Sequence, residues 1–265
     1  MSLAQPRVMG ILNVTPDSFY AGSRLPDEEA VLRQAEQQVQ AGAFFLDIGG
    51  YSSRPGADDV PEADELARVL PAVEAVVREF PEVYVSIDTF RASVARAAVE
   101  HGAHLINDIS GGQLDDAMFE TVADLQVPYI CMHMRGTPQT MKGLTNYENL
   151  LGEMGFYFQE RMRRLTDLGV RDVILDPGFG FAKTVEQNFE ILQNFSYFKM
   201  FGAPLLAGVS RKSMIWRTLD VKAGEALNGT TVLNTWALTQ GASILRVHDV
   251  KEAMETITLV NRIIA

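Results

Sequence analysis

The sequence predicts a single (β/α)8 barrel over residues 1–265, and three observations carry the prediction. Short apolar runs end in polar residues at Asn13, Asp47, Asp88, Asp108, His133, Asp176, Ser210 and Arg246, at intervals of 20 to 43 residues, the length of a strand, a loop and a helix. Gly42-Ala43, Gly102-Ala103 and Gly241-Ala242 each close a helical period and open an apolar run, with Gly169-Val170 a looser fourth joint. No Ser/Gly-rich linker or low-complexity stretch divides the chain, which favours eight consecutive units in a closed barrel over an open doubly wound sheet. A barrel brings the C-terminal ends of its strands round one mouth, so those polar residues become the candidates for chemistry.

The elements follow in order. Residues 8–14 are almost continuously apolar, as a strand covered on both faces requires, and Asn13 is their only strongly polar member. From Asp27 the period turns helical through Val31, Ala35 and Val39, and Gly42 suits a C-terminal cap. Residues 44–48 are the second strand. Leu66, Val69, Leu70, Val73, Val76 and Val77 make one buried stripe of the second helix, with Pro71 expected to bend it. A strand over 83–87 runs into Asp88, a helix over 92–101 stops at Gly102, and 105–106 lead into Asn107-Asp108. A helix over 116–125, a strand over Tyr129–Met132, a long connection over 134–147 and a helix over 148–168 complete the fifth unit.

Residues 173–175 are too short for a helix and mostly β-branched, and Pro177-Gly178 stop any regular element directly after Asp176. A helix around 186–195 precedes a strand over 204–209, which delivers Ser210-Arg211-Lys212-Ser213. Residues 223–240 are helical in part, Ile244–Val247 is the last strand, and Val250–Ile264 closes the chain with Ala253, Ile257, Val260 and Ile264 at core spacing.

Composition narrows the partners. With 47% hydrophobic and 22% charged residues among 265, the chain is long enough for a large core. A formal net charge of −11 opposes non-specific binding to nucleic acid or an anionic membrane, so any anion site must be local. The single cysteine, Cys131, permits no intrachain disulfide and reads as a small buried hydrophobe. No apolar run approaches membrane-spanning length and the first residues lack the order of a signal peptide, so the expected location is cytoplasmic.

The predicted mouth gathers carboxylates and an amide (Asp88, Asn107, Asp176) beside cationic or anion-seeking groups (Arg54, Lys212, Arg246, His248). Such a bipolar set suits a ligand with an N–H-rich heterocycle at one end and an anion at the other. Screened repulsion from the net charge acts weakly over about 8 Å, whereas bidentate arginine contacts act at about 3 Å, so the local cluster decides. Each residue also has a plainer reading. Asp176 before Pro-Gly suits a turn, Asp88 and Asn107 suit loop starts, and Arg54 before Pro55-Gly56 suits a solvated turn. Arg211 and Lys212 suit an ordinary helix start, although cations are disfavoured there unless an anion is present. His133 is balanced between core partner and site residue; His101 and His104 read as structural. Zinc-protease, P-loop and dinucleotide fingerprints are absent.

Seven blocks, in order along the whole chain, closely resemble the dihydropteroate synthase family of pterin-binding barrels. They are Met9-Gly-Ile-Leu-Asn-Val-Thr-Pro-Asp-Ser-Phe19, Ser52-Ser-Arg-Pro-Gly56, Ser86-Ile-Asp-Thr89, Asn107-Asp-Ile109, Asp176-Pro-Gly-Phe-Gly-Phe181, Ser210-Arg-Lys-Ser213 and Arg246-Val-His248. The resemblance implies condensation of 7,8-dihydropterin-6-ylmethyl diphosphate with 4-aminobenzoate, giving dihydropteroate and diphosphate in folate synthesis. It implies Mg²⁺ as cofactor, with Asn13 at the metal and diphosphate, and Ser53, Arg54, Arg246 and His248 also around the diphosphate. Asp88, Asn107, Asp176 and Lys212 would hold the pterin. Phe181, Pro55, Lys212 and Ser213 would border the aminobenzoate, and the loops after Asn13 and Gly50 would close over it. A homodimer through barrel helices and a place among the sulfonamide targets are implied in the same way, while Tyr20, Ala21, Tyr51 and Ala182 bear on how such drugs would fit.

Without an activated Ser, Cys or His dyad in the motifs, the expected chemistry is dissociative loss of diphosphate followed by amine attack. Two rival readings are a pterin-binding methyltransferase of related barrel type, which has no use for the Arg54, Arg246 and His248 set, and a non-catalytic pterin-binding protein. The chain departs from the commoner family pattern at Tyr20, Ala21, Tyr51, Ser53 and Ala182. Ala182 stands where glycine is frequent and costs backbone freedom if the position needs positive φ.

Overall fold

The computed structural model describes residues 2–15, 28–51 and 59–264. Eight parallel strands form one sheet: β1 (Arg7–Asn13), β2 (Phe45–Gly49), β3 (Tyr84–Asp88), β4 (Leu105–Asp108), β5 (Tyr129–Met132), β6 (Val173–Asp176), β7 (Leu206–Ala207) and β8 (Ile244–Val247). Their order is β6-β5-β4-β3-β2-β1-β8-β7. A parallel bridge between Leu175 and Leu205 joins the two ends of that order, so the sheet curls into a nearly closed barrel. The register runs Met9 opposite Phe45 to Asn13 opposite Gly49 on one side of β1, and Arg7 opposite Ile244 on the other. Helices occupy the connections: α1 (Glu28–Gln40), α2 (Glu62–Glu79), α3 (Ala92–Glu100), α4 (Met118–Leu125), α5 (Leu150–Asp167), α6 (Val185–Gln193), α7 (Ser213–Leu219), α8 (Leu227–Thr239) and α9 (Val250–Ile264).

Two-residue alternation separates the two faces of the barrel wall. Val8, Leu46, Val85, Ile106, Cys131, Leu175 and Leu245 point outward into the large core shared with the helices. Met9, Phe45, Leu105, Ile130, Ile174, Leu206 and Ile244 point inward and plug the barrel as a separate apolar cluster. Two residues further along the same inward face, the wall turns polar at Asp47, Ser86, Asn107, Asp176 and Arg246, and Asn13 and Asp88 lie beyond them on their own strands. The apolar plug is therefore the floor of a polar mouth.

The glycine joints owe their residue type to backbone sign. Gly42, Gly102 and Gly241 have φ of +101°, +106° and +98°, a region in which a Cβ is strained. Pro71 lies inside α2, which runs through it without interruption, and three carboxylates in its first turn, Glu62, Asp64 and Glu65, suit the helix dipole.

Several boundaries move. The strand expected over 204–209 shrinks to two residues, because Pro204 has no N–H and contributes only its carbonyl, to Leu175 N at 2.9 Å. The fourth helix starts at Met118, after a turn in which Asp115 accepts from Ala117 N at 3.0 Å. The helical stretch after β7 divides into α7 and α8, since Asp220 at φ +53° ends the first and a 3-10 turn, Ala223–Glu225, intervenes. Beyond the helix expected around 186–195, which ends at Gln193, residues Phe195–Phe201 form a 3-10 helix. None of the described helices is long and apolar enough to cross a membrane.

Candidate active site

Strands β2, β3, β4 and β8 bring four polar side chains together at the mouth. Arg246 donates from Nε to Asp47 Oδ2 and from Nη2 to Asp88 Oδ2, both at 2.6 Å. Asn107 Nδ2 donates to the same Asp47 Oδ2 at 2.9 Å. Room for this group is left by Gly49, where an added Cβ would stand 3.3 Å from the Asp88 Cβ. One guanidinium thus faces two carboxylates, and the excess negative charge favours a ligand that brings N–H donors. Burial pushes the Asp88 carboxyl up to about 7 against the opposing pull of Arg246, and the neighbouring Asp47 pushes it the same way.

Asp176 on β6 and Lys212 after β7 feel each other's charge without a direct ion pair. Asp176 Oδ1 accepts from Gly178 N at 2.8 Å. Asp176 and Lys212 both flank Gly208: a Cβ built there would lie in ordinary contact with each, 3.8 Å from Lys212 Nζ and 3.9 Å from Asp176 Oδ2. Lys212 Nζ also donates to the Phe179 carbonyl and stands 5.0 Å from the centre of the Phe181 ring. Burial lowers Lys212 to about 8 with Asp176 opposing, and burial raises Asp176 with Lys212 opposing. Lys212 occupies the N-cap of α7, and Ser213 is the first residue of that helix. The cation at the helix start turns its charge away toward the β6 loop.

His248 is exposed at the end of β8. Its Nδ1 lies 3.0 Å from Ser210 Oγ, and its backbone N–H donates to that same oxygen at 3.2 Å. Sequence reasoning expected no Ser–His contact, and this one is built for orientation: Ser210 is 4% exposed and its hydroxyl is taken up in setting the ring. A Ser210 hydroxyl donating to Nδ1 leaves Nε2–H as the outward donor. Arg211 is excluded from the mouth by a two-pronged bond to Asp249, Nε and Nη2 each donating at 2.8 Å.

Not every expected strand end reaches the mouth. Asp108 lies on the outer face, one residue out of phase with Asn107. Its carboxylate is spent on Ser110 N and Oγ at 2.7 Å, Gly112 N at 2.8 Å and the Tyr129 hydroxyl at 2.7 Å. His133 is buried, and its Nδ1 lies 3.0 Å from Lys183 Nζ. Burial, then Lys183, holds the ring well below its ordinary pKa, and burial lowers Lys183 too. Asn13 ends β1 half-buried beside Gly49. Ser53, Arg54, Pro55, Tyr20 and Ala21 lie outside the described residues.

Three supporting groups have no assigned role in the sequence, Asp47 standing there only as a strand end and Lys183 and Glu65 not at all. Asp47 is fully buried and joins Arg246 to Asn107. Lys183 threads its Nζ among the carbonyls of Gly178 and Phe181, each at 2.9 Å, and of His133 at 3.3 Å, which holds the β6 loop in shape. Glu65, buried on α2, accepts from Thr89 Oγ1 at 2.7 Å and from Arg91, whose Nη2 reaches the Val60 carbonyl at 2.7 Å. Inward parity on β2 marks Asp47 as soon as the strand phase is known; a buried base on a loop and a buried acid on a helix carry no comparable signal.

The departures at positions 51 and 182 have local accounts. Tyr51 is 8% exposed, meets Phe90 edge-on at 5.1 Å, and its hydroxyl lies 3.3 Å from Asp59 Oδ1 and 3.0 Å from Gln139 Nε2. Ala182 has φ +49°, in the left-handed region where glycine is at ease. Gly178, at φ +69°, could carry no Cβ, since that atom would stand 2.1 Å from the His133 carbonyl oxygen.

The comparisons agree with this architecture. A family model described as pterin binding enzyme matches residues 9–248. The dihydropteroate synthase of Synechocystis sp. is 46% identical over 253 residues, covering 94% of this chain and 87% of the relative. A crystal structure of the Yersinia pestis dihydropteroate synthase with a sulfonamide drug complex superposes with a TM-score of 0.93 at 41% identity, covering 99% of this chain and 96% of that one. The Xanthomonas albilineans dihydropteroate synthase with 4-aminobenzoic acid gives 0.93 at 36% identity, with coverage of 100% and 95%. Matched over nearly its whole length in sequence and in backbone, the chain belongs to the dihydropteroate synthase family of pterin-binding enzymes.

Proposed function

We propose that the protein condenses 7,8-dihydropterin-6-ylmethyl diphosphate with 4-aminobenzoate to give 7,8-dihydropteroate and diphosphate. The observation that carries this reading is the inward-facing group Asp88, Asn107, Asp176, Lys212 and Arg246 at one barrel mouth. Carboxylates there suit the N–H edge of a 2-amino-4-oxo-pterin, and Lys212 suits its carbonyl. Phe181, Ser213 and Lys212 border the aminobenzoate, with Pro55 from the segment after β2. His248, Ser53 and Arg54 are assigned to the diphosphate. Arg246, engaged by two carboxylates, serves the pterin side as well as the diphosphate side.

In the reaction the methylene C–O bond breaks, and its electron pair leaves with diphosphate. Positive charge then spreads into the electron-rich pterin, where Asp88 and Asp176 stabilise it. The amine lone pair of 4-aminobenzoate forms the new C–N bond and the nitrogen sheds a proton. Ser210 is buried and Cys131 lies on the outer wall, so neither is offered as a nucleophile. A covalent pterin–protein adduct trapped during turnover would overturn this route.

Asn13 is assigned to Mg²⁺. A single amide oxygen at a half-buried strand end fits that ion, which takes few protein ligands and keeps water and substrate phosphate for the rest. Among the described residues no cluster of three or more His, Cys, Asp or Glu competes for it. When bound, the ion supplies charge neutralisation for the departing diphosphate. A homodimer through barrel helices is supported by exposed apolar side chains on α8 and α9, Val232, Trp236, Leu259 and Ile263. A cytoplasmic setting is supported by the lone, buried Cys131. The methyltransferase and binding-protein alternatives both predict no dihydropteroate; mass-spectrometric detection of that product from the two substrates tests the proposal against both.

A further inference from the structure

Asp47 touches two residues assigned to the pterin yet lies beneath them, with no exposed surface. Its Oδ2 accepts from Arg246 Nε on β8 and from Asn107 Nδ2 on β4, so one oxygen joins strands that are not neighbours in the barrel. Its other oxygen, Oδ1, is buried and has no hydrogen-bond partner among the described residues, and the same holds for the hydroxyl of Ser86, opposite it in the β2–β3 register.

Hydrogen-bond inventory gives this contact a direction. A carboxylate beside a guanidinium only accepts, so the Asn107 amide must turn its NH2 toward Asp47. Its Oδ1 then faces away from Asp47, and Asn107 presents an acceptor to the mouth. An unrestrained asparagine presents either end, since flipping exchanges donor for acceptor at almost no steric cost. Arg246 is held likewise: Nε is occupied by Asp47 and Nη2 by Asp88, which leaves the other guanidinium edge to face a ligand.

We infer that Asp47 is a positioning residue that sets the hydrogen-bond polarity of the pterin subsite by fixing the Asn107 amide and the Arg246 guanidinium through one shared oxygen. The inference rests on the proposed synthase reading. It separates the two substrates, because Asp47 contacts nothing assigned to the aminobenzoate.

A graded series tests it. Kd for 6-hydroxymethyl-7,8-dihydropterin is measured by calorimetry, and KM for each substrate by steady-state kinetics, in wild type, Asp47→Asn and Asp47→Ala. The alanine removes both contacts and is expected to weaken pterin binding by at least tenfold. The asparagine keeps one acceptor oxygen without the charge and is expected to fall between, weaker than wild type by three- to tenfold. KM for 4-aminobenzoate is expected to stay within twofold throughout, a split that general loss of structure does not produce. Pterin affinity within twofold of wild type in either variant, or equal losses for both substrates, overturns the inference. If the alanine variant does not fold, the asparagine variant decides on the same criteria. Wild type without aminobenzoate-dependent product defeats the synthase reading itself; an active wild type with a flat series defeats only the role of Asp47.

Discussion

Arg246 Nη2 lies 2.6 Å from Asp88 Oδ2, so the last strand of the barrel is bound through its arginine to the third. The same guanidinium reaches Asp47 at 2.6 Å. From the sequence, Arg246→Ala is expected to impair diphosphate handling far more than binding of a phosphate-free pterin. The geometry changes that expectation, since the truncation leaves the fully buried Asp47 and the mostly buried Asp88 without their cation. A loss of about 3–5 kcal/mol in stability is predicted from urea titration. Binding of phosphate-free and phosphorylated pterins should fall together in calorimetry; loss confined to the diphosphate would show that the pair does not organise the pterin side.

A bell-shaped pH dependence is predicted for kcat/KM of the pterin substrate. Asp88, pushed up to about 7, is protonated below that pH and cannot accept fully from a pterin N–H, so the rate should rise through it. Lys212, lowered to about 8, loses its charge above that pH, so the rate should fall again. The two limbs are macroscopic values of interacting groups. In Asp88→Asn the acid limb should vanish with activity low throughout, and an acid limb that persists would assign it to another group.

Lys183→Met should destabilise the fold by about 2–4 kcal/mol, because it strips donors from the carbonyls of His133, Gly178 and Phe181 in a buried setting. Chemical denaturation measures this directly. A change below about 0.5 kcal/mol would mean that the loop satisfies those carbonyls by itself.

Ala182→Gly should stabilise the protein by roughly 0.5–1 kcal/mol. Relief of the left-handed strain, about 1–2 kcal/mol, exceeds the added unfolded-state entropy of about 0.4–1 kcal/mol. The difference is read from paired denaturation curves, and a destabilised glycine variant would show that the Ala182 methyl contributes more through its packing with Ile109, Met132, Met134 and Met141.

What was legible in the sequence was what local chemistry determines. Asp176 before Pro177-Gly178 marked a strand end, and the Gly-Ala joints marked helix ends, because those residues serve one backbone conformation each. The phase of a four-residue strand was less legible: Asn107 and Asp108 are equally polar, and only the three-dimensional alternation shows that the first faces the mouth and the second the helices. Long-range pairing left no sequence signal. Asp47 and Arg246 are 199 positions apart, and Lys183 meets His133 across 50. Those contacts exist only once the barrel closes.

Synthase activity is decided by diphosphate release from 7,8-dihydropterin-6-ylmethyl diphosphate in Mg²⁺ buffer, followed with and without 4-aminobenzoate. Sustained release that depends on 4-aminobenzoate and matches dihydropteroate formed one for one is the predicted result. Release without any aminobenzoate-dependent product, or no release at all, would contradict it.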